Sequence, residues 1–188
     1  MKISIDQIPA YGNYYDKGET IKLRAGYTAL VRYDYDQDYG APWENCDGHG
    51  PVSEWTSRDK APGERILSED RGSRRYYDYA EAMRIAKREG WDAEPYRTGT
   101  KGERARRAVD RDFEFLRAWC NDEWHYIGVM VTVFHNGIEI AEDSLWGIED
   151  CGDYWREIAA DMIETAIQQH KEETRERNYW ACRDVVTV

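Results

Sequence analysis

With 188 residues, the chain is long enough to form one domain with a hydrophobic core. Its 8 Trp and 14 Tyr argue against intrinsic disorder, although the mean hydropathy of -0.88 is low. The net charge of -11 favours basic surfaces over nucleic acid. No apolar run is long enough to cross a membrane, and the N-terminus lacks a signal-peptide pattern. We therefore expect a cytoplasmic protein that folds as a single domain over residues 1–188.

The first predicted elements are strands, followed by a segment rich in turn-forming residues. Residues 21–36 are dominated by apolar and β-branched side chains, and Gly26 marks a bend, so they predict one long strand or a bent pair. Gly and Pro then recur, which makes 33–72 a loop-rich part of the domain. The stretch SRRYYDY predicts a further strand that ends near Tyr77.

Two helices are predicted by capping-box patterns. Asp78 and Glu81 predict the start of the first helix, which Gly90 ends. Thr100 followed by Glu103 predicts the start of the second helix, which continues to about residue 121 with apolar side chains at helical spacing. Both helices are expected to pack against a sheet.

The strongest strand signal is WHYIGVMVTVF at residues 124–134, because both of its faces are apolar, as in a central strand. The pair Asn136-Gly137 predicts a type I′ turn, which connects this strand to a return strand at 138–145. These two strands form a predicted β-hairpin.

A long helix is predicted over residues 153–176, and the tail after it is expected to close the sheet as an edge strand. The order of elements predicts an α+β fold. We expect an antiparallel sheet with a central β-hairpin at about 124–145, packed by two or three helices, and a long N-terminal loop region.

Three carboxylates alternate along the chain at Asp34, Asp36 and Asp38. An EF-hand calcium loop is not predicted, because Tyr39 and Asn45 stand where such a loop needs Gly and Glu. In an extended chain the three carboxylates share one face. The pattern allows three interpretations: a solvated strand face, a site for a basic partner and a metal site. Because the calcium-loop pattern fails, we expect neither a metal nor a cofactor.

Two groups of residues could support catalysis. His49 lies in Asp47-Gly48-His49-Gly50, and a Gly-flanked His close to an acid in sequence is a candidate general base. Cys120 and His125 flank a helix–strand junction and could form a nucleophile pair. The sequence contains no common nucleotide-binding or hydrolase motif, and the four cysteines lack a CxxC spacing. We therefore expect free thiols, no catalytic residues and a protein that is not an enzyme.

An acidic row marks the last predicted helix, with spacings of 3, 4, 4 and 3 residues that place its members along one helical face. Carboxylates about 5–6 Å apart can imitate the phosphates of a nucleic-acid strand. A solvated helix face, favoured at its start by the helix dipole, is the plainer interpretation. The row consists of Asp150, Asp153, Glu157, Asp161 and Glu164.

Aromatic residues in the segment Tyr33–Trp55 need a packing or binding role, because an unpacked Trp gains nothing from burial. Trp43 and Trp55 are candidate anchors for a partner. A basic set interleaved with aromatics offers a different function, since single-strand binders use such patches. That set is Arg71, Arg74, Arg75 and Tyr76.

Four blocks resemble a family of proteins encoded by bacteriophages and other mobile elements of bacteria. The blocks are DYGAPWENCDGHGPVSEW (38–55), RDKAPGERILSEDRGSRRYYDYAEA (58–82), CNDEWHYIGVMV (120–131) and SLWGIED (144–150). The resemblance covers about residues 33–170 and carries over no catalytic residue. It implies an accessory phage product that acts in the bacterial cytoplasm, where many small acidic phage proteins inhibit host defence.

Charge and setting together predict an inhibitor of a host defence complex of the anti-CRISPR or antirestriction type. The acidic row and the aspartates at 34, 36 and 38 would oppose the basic surface of a defence nuclease or CRISPR effector, and the two Trp would anchor the contact. The alternative is a nucleic-acid-binding accessory protein that uses the Arg/Tyr patch.

Overall fold

The computed structural model describes residues 2–9, 17–45, 48–91 and 98–184. They form an α+β fold with an antiparallel four-stranded sheet and a two-stranded sheet, as predicted. The strands are β1 (Glu19–Lys22), β2 (Tyr27–Tyr35), β3 (Glu64–Asp70), β4 (Ser73–Asp78), β5 (Tyr126–His135) and β6 (Ile138–Glu149). The helices are α1 (Pro42–Asn45), α2 (Tyr79–Glu89), α3 (Lys101–Cys120) and α4 (Tyr154–Asp184), and a 3-10 turn spans Ile5–Gln7.

The chain divides into two compact units. Unit 1 comprises residues 1–37 and 125–188, and unit 2 comprises residues 38–124. Compact units of this kind occur within one domain as well as in separate domains, so the single domain expected from the sequence stays a prediction.

The sheet of unit 1 has the strand order β1-β2-β5-β6. The predicted hairpin turn between β5 and β6 is confirmed, because Asn136 and Gly137 have φ values of 51° and 80°, as a type I′ turn requires. Residues 21–36 contain the bent pair rather than one strand: β1 and β2 form a hairpin that turns at Ala25 and Gly26. β5 lies between β2 and β6, as its apolar sequence predicts for a central strand, and most of its residues are buried.

Helix α4 covers one face of this sheet. Its buried residues Ile163 and Ile167 belong to the same core cluster as Val129, Val131 and Val133 of β5. Complete burial of each of these side chains contributes about 1.5–3 kcal/mol, before the cost in conformational entropy.

The expectation of an edge strand after residue 176 is wrong for the part of the tail that the structure describes. Helix α4 continues to Asp184. The sequence contains neither Gly nor Pro between residues 154 and 184, so the two residue types that most strongly end a helix are absent from this stretch. Residues 185–188 lie outside the described residues.

Unit 2 contains the β3–β4 hairpin and helices α2 and α3, and β4 confirms the strand predicted to end near Tyr77. Both predicted helix starts are confirmed, and the reciprocal capping box is present at the second. The Asp78 side chain accepts a hydrogen bond from the Glu81 N–H, and Thr100 and Glu103 form a reciprocal capping box. The core is formed by Leu67, Tyr77, Ala82, Ala86, Ala105, Val109, Phe113 and Leu116.

Candidate functional site

A buried carboxylate in unit 2 holds three hydrogen-bond donors. His49 Nδ1 lies 2.6 Å from Asp112 Oδ1. Asp112 Oδ2 accepts hydrogen bonds from the Tyr77 hydroxyl at 2.6 Å and from the Gly50 N–H at 2.8 Å. The Asp112 side chain is 8% exposed and that of His49 is 16% exposed. The three donors compensate the desolvation of the carboxylate.

The glycines beside His49 are needed for this arrangement. Gly48 has a φ of 102°, which L side chains rarely adopt. A Cβ at Gly50 would lie 2.3 Å from the Tyr77 hydroxyl and 2.7 Å from the Ala82 Cβ, so only glycine fits there without a shift of its neighbours. The loop thus brings the backbone of Gly50 and the ring of His49 to the same carboxylate.

Tyr77 takes part in this group as a neutral donor. Burial, together with its hydrogen bond to Asp112, raises the pKa of Tyr77 far above the usual range. The phenol therefore stays protonated at all ordinary pH values and donates a hydrogen bond to the carboxylate. Tyr77 is also a fully buried core residue, and its ring meets the ring of Phe113 edge to face at 5.6 Å.

His49 lies at the wall of an open cleft of about 440 Å³. The imidazole and the Phe115 ring are nearly parallel, at 11°, with centroids 5.9 Å apart. The volume lies in the range of about 300–1,000 Å³ that is typical of small-molecule sites. The cleft is lined by Gly48, His49, Trp91, Ala108, Arg111, Asp112 and Phe115.

Asp112 was missed by the sequence prediction, although the sequence contains a signal for it. It lies 63 residues from His49, so no local motif joins the two. On α3, however, it stands three residues after Val109 and four before Leu116, within the buried stripe of the helix. An acid in an apolar stripe needs hydrogen-bond donors from elsewhere in the fold, and this expectation would have singled it out.

The predicted acidic row divides into inward and outward members. The Asp150 side chain is 10% exposed and accepts a hydrogen bond from the His125 N–H at 2.8 Å. Glu164 accepts a hydrogen bond from the Ile3 N–H. Asp153 is exposed and forms an ion pair with Arg156, whereas Glu157 and Asp161 are exposed on α4.

The three alternating aspartates do not act as one group. Asp34 is exposed on β2 and accepts a hydrogen bond from the Tyr35 N–H. Asp36 follows the strand and accepts one from the Gly147 N–H at 3.0 Å. Asp38 belongs to unit 2. Among the described residues, no group of three or more His, Cys, Asp or Glu side chains is placed to hold a metal ion.

The two candidate Trp anchors share one arginine in unit 2. The Arg75 guanidinium lies 4.9 Å from the Trp43 ring and 5.0 Å from the Trp55 ring. Trp43 also meets Trp119 edge to face and packs against the core, whereas Trp55 is 44% exposed. Trp55 is therefore the more available of the two for a partner.

The predicted Arg/Tyr patch is largely engaged within unit 2. Arg74 forms two hydrogen bonds with Glu69, and Arg75 is held by the two Trp rings. Tyr76 is buried and donates its hydroxyl proton to the Arg58 carbonyl. Of this set only Arg71 is almost fully exposed, so the patch presents little cationic surface, and nucleic-acid binding by it stays a prediction.

Cysteine nucleophilicity finds little support at residue 120. Burial raises the pKa of Cys120 to about 11, so its thiol is almost entirely protonated at neutral pH. Burial and the neighbouring Glu149 raise the pKa of Cys151 to about 11 as well. Cys46 lies outside the described residues. The interpretation of His49 as a general base stays a prediction. Among the described residues that line its cleft there is no Ser or Cys that could act as a nucleophile.

Comparison with protein-family models, curated proteins and solved structures finds no match to this chain. Within the described residues, no helix is both long and apolar enough to pass through a membrane. Function is therefore inferred from geometry and charge.

Proposed function

We propose that the chain is a phage-type accessory protein that binds a basic surface of a host defence complex in the bacterial cytoplasm and blocks it. Anti-CRISPR and antirestriction proteins act in this way. The proposal is supported by the charge of unit 1, which contains 18 acidic and ten basic residues, a net of -8. The observation that carries the proposal is the exposed edge of the sheet at β6, where apolar side chains lie among carboxylates.

Charge is segregated across the sheet of unit 1. Near β1, at one edge, a cleft of about 480 Å³ is lined by three of the basic side chains, Lys2, Lys22 and Arg24. At the other edge, the β5–β6 hairpin contains neither Lys nor Arg. Its exposed acids are Glu139, Glu142 and Asp143. A basic partner is attracted to the β6 edge and repelled from the β1 edge.

Two apolar side chains on β6 can anchor such a partner. Leu145 is 44% exposed and Trp146 is 46% exposed. The indole of Trp146 packs over Gly128, where a Cβ would lie 2.5 Å from the ring. Because the backbone supports one face of the ring, Trp146 is presented with little freedom to lose on binding, as is common for aromatic hot spots.

Helix α4 extends the acidic surface. Glu157 and Asp161 are exposed on its first turns, and β6 is one of the strands that α4 contacts. Asp150 and Glu164 have hydrogen-bond donors within unit 1, so we assign them to the fold rather than to the partner. The proposed contact surface therefore combines β6 with the outward members of the acidic row.

Charge reversal at this surface tests the proposal. The test variant carries Asp143→Lys, Glu157→Lys and Asp161→Lys, and leaves Glu142 in its ion pair with Arg32. The control variant carries Glu172→Lys, Glu173→Lys and Glu176→Lys on the exposed distal part of α4 and changes the net charge by the same amount. The efficiency of phage plating is measured on bacteria with a panel of restriction and CRISPR systems, with circular dichroism as a folding check.

We expect the wild-type chain and the control variant to restore plating against at least one system. With the test variant, the efficiency of plating on that system should be more than tenfold lower than with the wild type. Equal loss in both variants would assign the effect to net charge rather than to this surface. If the wild-type chain restores plating against none of the systems, the inhibitor function is wrong.

A further inference from the structure

We propose that the cleft beside His49 in unit 2 binds a nucleobase, either of a free nucleoside or nucleotide or of an unpaired position in a single strand. The site is separate from the acidic surface of unit 1 and does not depend on the function proposed for it. It rests on the orientation of one imidazole and on the chemistry of the side chains that line the cleft with it.

The hydrogen bonds of Asp112 fix the tautomer of His49. A carboxylate only accepts hydrogen bonds, so the 2.6 Å contact with Asp112 Oδ1 requires the proton on His49 Nδ1. In the neutral ring Nε2 is then an acceptor. The Tyr77 hydroxyl and the Gly50 N–H occupy the second carboxylate oxygen and hold Asp112 in place. The cleft is thus provided with one oriented acceptor, Nε2.

The other lining groups complement the edge and the faces of a base. Arg111, an exposed residue, adds a guanidinium to the lining. The rings of Trp91 and Phe115 provide apolar walls. Nucleobases carry N–H donors beside carbonyl or ring-nitrogen acceptors on one edge and have two π-faces. Proteins bind unpaired bases by stacking them on aromatic rings or Arg and by hydrogen-bonding their edges.

Charge favours a ligand that needs little electrostatic attraction. The cleft is lined by one cation, Arg111, and one carboxylate, Asp112, and unit 2 as a whole has 19 acidic and 16 basic residues. A long polyanion would meet repulsion from this surface, whereas a neutral nucleoside would not. We therefore expect free nucleosides to bind at least as well as oligonucleotides.

The test follows the His49 imidazole by NMR. Long-range ¹H–¹⁵N spectra of the full chain report the tautomer, and Nε2 is observed while adenosine, guanosine, cytidine and uridine are added separately, followed by dT12 and rU12. We expect the Nδ1–H tautomer in the free protein. We also expect a saturable shift of Nε2 with at least one nucleoside.

His49→Asn separates ligand binding from a structural role. The Asn amide can donate to Asp112 from about the position of Nδ1, but it has no group at the position of Nε2. We expect this variant to retain the thermal midpoint within a few degrees and to bind the nucleoside at least tenfold more weakly, as measured by calorimetry. His170→Asn, which lies in unit 1, is the matched control and should leave the affinity unchanged.

Each outcome decides between the alternatives. Shifts with oligonucleotides alone, abolished by His49→Asn, would assign the site to single strands. The opposite tautomer, no shift of Nε2 with any probe at about 10 mM, or an affinity that His49→Asn leaves unchanged would each overturn the proposal. The group would then serve only to tie the loop at residues 48–50 to α3.

Discussion

At the scale of single residues, the most consequential side chain of unit 2 is Asp112. A buried carboxylate costs several kcal/mol unless donors surround it. Here two parts of the chain supply the donors, the loop at His49 and Gly50 and the strand at Tyr77, while α3 supplies the accepting carboxylate of Asp112. One acid therefore joins a strand, a loop and a helix, and removal of any donor should lower the free energy of unfolding of the unit.

Tyr77→Phe removes one of these donors, and we expect it to lower the free energy of unfolding by about 1–3 kcal/mol at pH 7, because the buried carboxylate loses a hydrogen bond. The pKa of Tyr77 is raised in the folded state, so its contribution is complete below pH 10, the ordinary value of a Tyr, and decreases as the pH rises above it. The difference between wild type and variant should therefore shrink by about 1.4 kcal/mol per pH unit above 10.

Urea unfolding at pH 7, 9, 10 and 11 measures this difference. Tyr154→Phe is the matched control, because Tyr154 is 57% exposed, and it should track the wild type at every pH. A constant difference between pH 7 and pH 11 would show that the phenol of Tyr77 ionises equally well in the folded and unfolded chain, and the argument from burial would fail.

At the scale of elements, local signals were sufficient where the structure is decided by neighbours in sequence. The N-cap at Asp78, the capping box at Thr100 and the Asn136-Gly137 turn all lie at the predicted positions, because a cap or a tight turn involves only four residues. The tail after residue 176 shows the limit of local signals: a strand there requires a long-range partner, whereas the helix continues because neither Gly nor Pro interrupts it.

The candidate site shows the same limit. His49 was singled out from its Gly-flanked loop, but its partner on α3 lies 63 residues away, and only the tertiary fold brings the two together. Of the acidic row, Glu157, Asp161 and Glu164 lie on α4 as predicted. Its first member precedes α4 and turns to the N–H of His125, which helical spacing cannot reveal.

Helix α3 offers a test of how much a local signal contributes. Thr100 accepts a hydrogen bond from the Glu103 N–H, and Glu103 accepts hydrogen bonds from the backbone N–H and hydroxyl of Thr100. Thr100→Ala should therefore lower the free energy of unfolding by about 1 kcal/mol. Thr98→Ala, also exposed and just before the helix, should change it by less than half as much. Chemical denaturation of both variants measures this, and equal effects would refute a specific role of the cap.

At the scale of the whole molecule, the two units differ in how the chain builds them. Unit 1 is assembled from two separate segments, since β2, which ends at Tyr35, pairs with β5, which begins at Tyr126. Unit 2 is one continuous segment whose core lies on β3, β4, α2 and α3. Unit 1 holds most of the negative charge and unit 2 holds the cleft of His49. The two proposals thus concern different units and can fail independently.

The continuity of unit 2 leads to a prediction about folding. A fragment of residues 38–124 contains the whole core cluster of unit 2 and all four residues of the Asp112 group, so we expect it to fold without unit 1. At this length its stability should be marginal, a few kcal/mol, because a small domain buries a limited fraction of its surface. Circular dichroism should show a cooperative thermal transition, and the NMR spectrum should show the Nδ1–H tautomer of His49.

Leu116→Ala in the same fragment should abolish the transition, since removal of a fully buried Leu costs about 2–5 kcal/mol. A fragment without a cooperative transition would mean that the core of unit 2 depends on unit 1 and that the chain folds as one indivisible domain.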